Sequence, residues 1–160
     1  MKFKKPKFWD YKKPTIISYL LLPISLILTI LRIVINSTIK KKKYTSIKTV
    51  CVGNIYLGGT GKTSLSLKIN EILGKKIKSC FIKKYYPNQI DEQKILANHG
   101  KLFKSKNRSS SIEQAIHENF ELAIFDDGLQ DPSIKYDYCI VCFNIDNWIG
   151  NNPVSYTHLR

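Results

Sequence analysis

Hydrophobic positions fall into stretches of two kinds. From Thr15 to Leu31 there are 17 residues without a charge, rich in Leu and Ile, followed by Arg32 and Ile33-Val34-Ile35. An unbroken apolar run of this length marks a segment able to enter a bilayer as a helix, and it is read as one helix over 15–35 interrupted at Pro23. Farther along, the apolar runs are short. Lys48–Val52, Ser79–Ile82, 121–125 and Tyr138–Phe143 carry β-branched and aromatic residues in blocks of four to six, the signature of buried strands. Between them, Leu65, Ile69, Ile72 and Leu73 recur at helical spacing, predicting a helix over Lys62–Leu73 closed by Gly74. A second helix is predicted over Ser109–Glu118, with Ser111 three residues before Gln114 as a capping signal. Strand, turn, helix and strand in this order favour an α/β fold with a parallel sheet and right-handed crossovers.

Charge sharpens the division between the long run and the rest. The 160 residues carry 26 Lys+Arg against 12 Asp+Glu, a net charge of +14. Twelve of the basic residues and a single acid, Asp10, lie in residues 1–48, so this stretch holds +11 and the remainder only +3. A nucleic-acid-binding domain carries its basic stripe on the folded part, so no nucleic-acid partner is expected. The lysines instead flank the apolar run, with Lys2, Lys4, Lys5, Lys7, Lys12 and Lys13 before it and Lys40 to Lys43 after it. A spanning helix keeps its Lys excess on the cytoplasmic side, whereas here both ends favour the anionic cytoplasmic leaflet. The reading is a monotopic helix lying in or dipping into that leaflet, with a single span as the alternative. A signal peptide is disfavoured because no small-residue cleavage site follows.

Four cysteines are too few for a disulfide framework in a chain this long. Cys139 and Cys142 form a C-x-x-C, but within a strand residues three apart point to opposite faces. They are read as buried free thiols rather than as a metal site.

The chemistry concentrates where the first strand meets the first helix of the folded part. Gly58-Gly59-Thr60-Gly61-Lys62-Thr63 supplies glycines for a backbone nest at a helix N-terminus, where N–H groups wrap phosphates. Lys62 would reach the β/γ-phosphates and the Thr63 hydroxyl would hold Mg²⁺. The full G-x-x-x-x-G-K-[ST] pattern is not met, because its first glycine falls on Tyr56. The apolar run over 121–125 ends in Asp126-Asp127-Gly128, and carboxylates at a strand's C-terminal end lie where open α/β sheets bind ligands. Two adjacent acids repel one another unless a cation intervenes.

Taken in order, Gly53-Asn54, the loop from Gly58 to Thr63, Asp91-Glu92, Asp126-Asp127-Gly128-Leu129-Gln130 and Gly150-Asn151 resemble the motifs of the tetraacyldisaccharide 4′-kinase family. The basic start with Phe8-Trp9 and the apolar helix are similar to that family's N-terminal segment. The resemblance implies a P-loop NTPase-like parallel sheet flanked by helices (45–152), preceded by a membrane-associated helix (1–44). It further implies transfer of the γ-phosphate of ATP to the 4′-hydroxyl of the lipid A disaccharide precursor, at the cytoplasmic face of the bacterial inner membrane. Asp91 falls on the family's candidate base, with Lys62 and Asp127 as further catalytic residues. Tyr56, Leu57, Gly58, Gly59, Thr60, Gly61, Lys62, Thr63 and Gln130 would bind ATP, and Thr63, Glu92 and Asp126 would bind Mg²⁺.

Several positions depart from the family pattern. Lys84-Tyr85-Tyr86-Pro87 stands in place of R-G-Y-G, Ile90 rather than Gly precedes Asp91, and Asp131 replaces a frequent His. After Gly150-Asn151 the family continues into a second lobe, while this sequence reads Asn152-Pro153-Val154-Ser155-Tyr156-Thr157-His158-Leu159-Arg160. The expectation is an aberrant tail over 153–160 and a fragment inactive alone. Two other readings are a membrane-associated P-loop ATPase of the partitioning or division-site type, whose signature lysine is Leu57 here, and a non-catalytic nucleotide-binding fragment.

Overall fold

The computed structural model describes residues 16–54, 61–86, 90–129 and 131–142. Nine elements follow one another in these segments: α1 (Ile16–Thr38), β1 (Lys48–Asn54), α2 (Lys62–Leu73), β2 (Ser79–Lys84), α3 (Ile90–His99), β3 (Leu102–Ser105), α4 (Arg108–His117), β4 (Leu122–Asp126) and β5 (Tyr138–Cys142). The helix expected over 62–73 has those bounds, and the four expected strands are present within two residues at each end. The region between β2 and the 108–117 helix adds α3 and β3, which its mixed polar composition does not announce.

α1 belongs to a different unit from the sheet. It runs 23 residues through Pro23, about 34 Å at the helical rise, against a hydrocarbon core about 30 Å thick. Thr29, Ser37 and Thr38 turn their hydroxyls onto main-chain carbonyls three or four residues back, which hides polar groups on an otherwise apolar helix. Most of its described large apolar side chains, among them Ile16, Leu20, Leu26 and Ile33, are exposed. By length and composition the helix could cross a membrane.

The compact unit over 41–54 and 61–142 is built on a five-stranded, wholly parallel sheet in the order β3-β2-β4-β1-β5. Alternation along the strands sends side chains to two separate cores. Cys51, Cys80, Ile82, Ala123 and Phe125 meet Ile112 and Ala115 of α4 on one face. Val50, Val52, Phe81, Leu122 and Ile124 meet Leu96 of α3 and Leu65, Ile69 and Leu73 of α2 on the other. Helices therefore cover both faces, which is why β1, β2 and β4 are apolar on both.

β1 and β2 are consecutive strands but not neighbours. β4 inserts between them, pairing Val52 with Asp126 on one side and Ile82 with Phe125 on the other. The carboxyl ends of β1, β4 and β2 thus lie side by side.

β5 corrects one expectation. Its run Tyr138-Cys139-Ile140-Val141-Cys142 reads as a buried strand, yet Tyr138 to Val141 are exposed and Cys142 is half-buried. Among the described residues it pairs with β1 alone, at the sheet edge. Apolar content marked the strand but could not mark its position. Cys51 and Cys80, in contrast, are fully buried, and burial pushes both thiols up to about 12, so neither supplies a thiolate near neutral pH.

Candidate active site

Gly61 adopts the left-handed conformation (φ 75°, ψ 15°) and turns the chain into α2, a geometry that costs glycine nothing. Gly61, having no side chain, gives α2 no side-chain cap, and first-turn N–H groups of a helix begun in this way can bind an anion. Lys62, the first residue of the helix, extends its ammonium to Asn54 Oδ1 at 3.2 Å and Asp127 Oδ1 at 3.0 Å. Thr63 Oγ1 lies 3.5 Å from Asp126 Oδ2. Residues at the start of α2 are thereby brought to the ends of β1 and β4, as the pairing of Val52 with Asp126 requires.

The two adjacent aspartates escape mutual repulsion by turning to different lysines. Asp127 takes Lys62. Asp126, 1% exposed, takes Lys83 of β2, whose ammonium is itself 2% exposed and sits 2.5 Å from both Asp126 Oδ2 and Glu92 Oε2. Burial draws the Lys83 pKa down, but the charge and hydrogen bonds of Asp126 and Glu92 outweigh it and hold the ammonium above the usual lysine range. Glu92 is thus tied to Asp126 through one shared cation, which anchors the first turn of α3 to the strand ends. Asp91, in that same turn, is exposed.

Asp127 has a positive φ of 64°, an uncommon conformation for a residue with a side chain. Its N–H donates to Val52 O at 2.8 Å, and Arg108 Nη2 donates to its carbonyl at 2.7 Å. Arg108, 5% exposed, also reaches Asp131 Oδ2 at 3.3 Å. Burial raises the Asp131 carboxyl, yet bonds from the Ser133 hydroxyl and N–H and the nearby guanidinium bring it below the ordinary value. Tyr136 completes the support: its ring packs edge-on to Phe125 with centroids 4.9 Å apart, and its hydroxyl donates to Gly128 O at 3.1 Å.

Of the residues singled out from sequence, Lys62, Thr63, Asp126, Asp127 and Glu92 converge on one cluster, directly or through Lys83. Asp91 lies beside that cluster on α3 without an ion pair in it. Tyr56, Leu57, Gly58, Gly59, Thr60 and Gln130 lie outside the described residues, as do Gly150-Asn151 and the stretch 153–160. Sequence reading missed Lys83 and Arg108. Lys83 could have been found: it lies two residues after Phe81 on the same strand face, and a lysine on a buried face demands an anion. Arg108 left no such signal, since an arginine at a helix start is ordinarily solvated.

The cluster suits a divalent cation of hard character. Asp126 Oδ1 is buried and without a hydrogen-bond partner among the described residues, and the donors are hydroxyl and carboxylate oxygens. No group of three or more His, Cys, Asp or Glu gathers into a metal cage among the described residues.

Fold and site together define an α/β phosphate-loop domain: a parallel sheet with a lysine at a helix N-terminus facing an acidic pair on the adjacent strand. Residues 17–154 match the family described as tetraacyldisaccharide-1-P 4′-kinase, and the chain belongs to that family. It is 61% identical over 154 residues to the tetraacyldisaccharide 4′-kinase of Pelagibacter ubique (strain HTCC1062), a match covering 94% of this chain and 48% of that protein. Against the kinase of the same name from Rickettsia felis the identity is 30% over 168 residues, covering 51% of the relative. The chain thus spans about half the length of these curated relatives. The fold matches a crystal structure described as the "apo" form of LpxK from Aquifex aeolicus in complex with ATP, with a TM-score of 0.69 at 22% identity, over 85% of this chain and 54% of that one. Family membership disfavours the partitioning ATPase reading.

Proposed function

We propose that this chain forms the nucleotide-binding part of a kinase that transfers the γ-phosphate of ATP to the 4′-hydroxyl of the lipid A disaccharide precursor, tetraacyldisaccharide 1-phosphate. The observation that carries the reading is the Lys62–Asp127 pair, with Thr63 against Asp126 at the neighbouring strand end, in a chain of this family.

Phosphoryl transfer asks the protein for positioning and charge neutralisation rather than covalent chemistry. The open N–H groups of the first turn of α2 would bind phosphate oxygens, and Lys62, held in place by Asn54 and Asp127, would neutralise the β/γ-phosphates. Thr63 and Asp126, with Glu92, are the residues that would hold Mg²⁺. When bound, that ion supplies charge neutralisation on the phosphate oxygens. Asp91 is the proposed base for the acceptor hydroxyl, carried on the turn of α3 that Glu92 anchors. α1 would bring the domain to the anionic cytoplasmic face of the inner membrane, where an amphiphilic acceptor resides.

Two measurements test this reading. Mg²⁺-ATP binding by the chain should weaken in Lys62→Ala. Phosphate transfer from labelled ATP should appear in a chimera joining residues 1–152 to the remaining half of the Pelagibacter ubique relative. A chimera that binds ATP but labels no disaccharide would refute the substrate assignment.

A further inference from the structure

The ammonium of Lys83 occupies the position between Asp126 and Glu92 that a cation bridging two carboxylates would take. Both of its contacts are 2.5 Å long, and neither Lys83 nor Asp126 is more than 2% exposed. The strand register puts it there. Ile82 pairs with Phe125, so the next residue on each strand brings Lys83 against Asp126. Glu92 then closes over it from the first turn of α3. Three carboxylates (Glu92, Asp126 and Asp127) face two ammonium groups, Lys62 and Lys83, so the cluster keeps a single net negative charge. Without Lys83 the charge would be twice as large, and the buried Asp126 Oδ1, without a partner among the described residues, would be open to a divalent ion.

We propose that Lys83 is a positioning residue that serves as an internal cation, holding the Asp126–Glu92 pair closed so that the cluster takes up a divalent ion weakly until a polyphosphate brings one. The inference rests on the kinase reading for its polyphosphate, but its central claim concerns the metal alone. The charge argument is coulombic. A fixed ammonium at contact distance opposes a second cation at the same oxygens, and screening is limited on the buried Lys83–Asp126 side, while the Glu92 side chain is half-exposed. Metal would then arrive with nucleotide, and its entry would loosen Glu92 from Lys83 and free the first turn of α3, where Asp91 lies.

The test is Mn²⁺ binding to the full chain without nucleotide, read by the electron paramagnetic resonance of free Mn²⁺. Lys83→Met should bind Mn²⁺ at least about tenfold more tightly than the unsubstituted chain, while Lys83→Arg, which keeps the charge, should stay close to it. A Lys83→Met chain with unchanged far-UV circular dichroism and no gain in Mn²⁺ affinity would overturn the proposal. A second reading needs no folded variant of lysine 83 beyond the arginine form used for assignment. In ¹³Cε-lysine-labelled chain, equimolar Mn²⁺ alone should leave the Lys83 signal as sharp as those of distant lysines. Selective broadening by Mn²⁺ alone would show the ion already seated beside the ammonium, and would overturn the proposal equally. If ATP fails to bind at all, the kinase reading falls, whereas the comparison of Mn²⁺ affinities still decides the role of Lys83.

Discussion

Arg108 Nη2 donates to the main-chain carbonyl of Asp127 at 2.7 Å, and so a buried guanidinium on α4 fixes the backbone of the residue whose carboxylate holds Lys62. The contact matters because Asp127 sits at φ 64°, where a side chain is retained only if its surroundings over-determine it. Arg108→Leu would remove the guanidinium donor from that carbonyl and from Asp131 Oδ2, leaving Asp131 Oδ1 to Ser133. The expected cost is about 3 kcal/mol, read as a lowered urea midpoint at unchanged slope. Arg108→Lys should recover part of it, since an ammonium can reach only one of the two acceptors well.

Lys62→Ala and Asp91→Ala test the roles proposed for these residues in nucleotide binding and proton transfer. In the chimera with the Pelagibacter relative, each should lower phosphate transfer by about 10²-fold or more. Lys62→Ala should also weaken Mg²⁺-ATP binding, whereas Asp91→Ala should leave it nearly unchanged. A fully active Asp91→Ala chimera would remove Asp91 from the mechanism.

Two carboxylates give the compact unit an acid limit. Asp137 accepts bonds from the N–H and hydroxyl of Thr49 at 2.9 and 3.0 Å; burial raises its pKa, but these bonds and the charges of Lys43 and Lys48 bring it below the ordinary value. Asp131 is lowered likewise by Ser133 and Arg108 against its own burial. A folded-state pKa below the unfolded one means that stability is fully present above about pH 4, the unfolded value, and is lost as pH falls through the folded value. The urea midpoint should therefore drop below about pH 4, and Asp137→Asn should lower it at neutral pH while flattening the acid arm.

Close approach at two glycines joins the acidic loop to β1. A Cβ at Gly53 would lie 2.4 Å from Leu129 Cγ, and one at Gly128 would lie 2.8 Å from Cys51 Sγ and 2.9 Å from the Tyr136 hydroxyl. Gly128→Ala and Gly53→Ala should each cost about 1–3 kcal/mol as overpacked sites. Thermal denaturation checks both, and Gly128→Ala should also displace the Tyr136 hydroxyl from Gly128 O.

Membrane attachment should depend unequally on the two lysine clusters that flank the apolar helix. Lys42 pairs with Glu113 at 2.8 Å, and Lys43 lies 3.8 Å from Asp137, so these two serve the compact unit as well. Deleting residues 1–40 should release the chain from anionic vesicles. Neutralising Lys2, Lys4, Lys5, Lys7, Lys12 and Lys13 should weaken vesicle pelleting more than neutralising Lys42 and Lys43. Unchanged pelleting after the deletion would show that α1 is not the anchor.

Local order alone determined much of this protein. Short apolar runs marked β1, β2, β4 and β5, helical spacing marked α2, and the run from Gly58 to Thr63 with Asp126-Asp127 marked the candidate site, because period, turn residues and strand-end acids are written within a few positions of one another. The tertiary structure decided the rest. The insertion of β4 between β1 and β2 makes pairings across 74 and 43 residues (Lys48 with Leu122, Ser79 with Leu122), and they bring Asp126 beside Val52 and against Lys83. Whether a strand is central or an edge is equally non-local, so β5 carries a buried-strand composition on an exposed edge. Arg108 reads locally as a surface charge, and Lys83 as a lysine on a buried face whose anion lies far off in sequence. They became the two buried cations of the site only because neighbouring strands and α4 offered each an anion or a carbonyl at hydrogen-bond distance, without which burial would have been too costly.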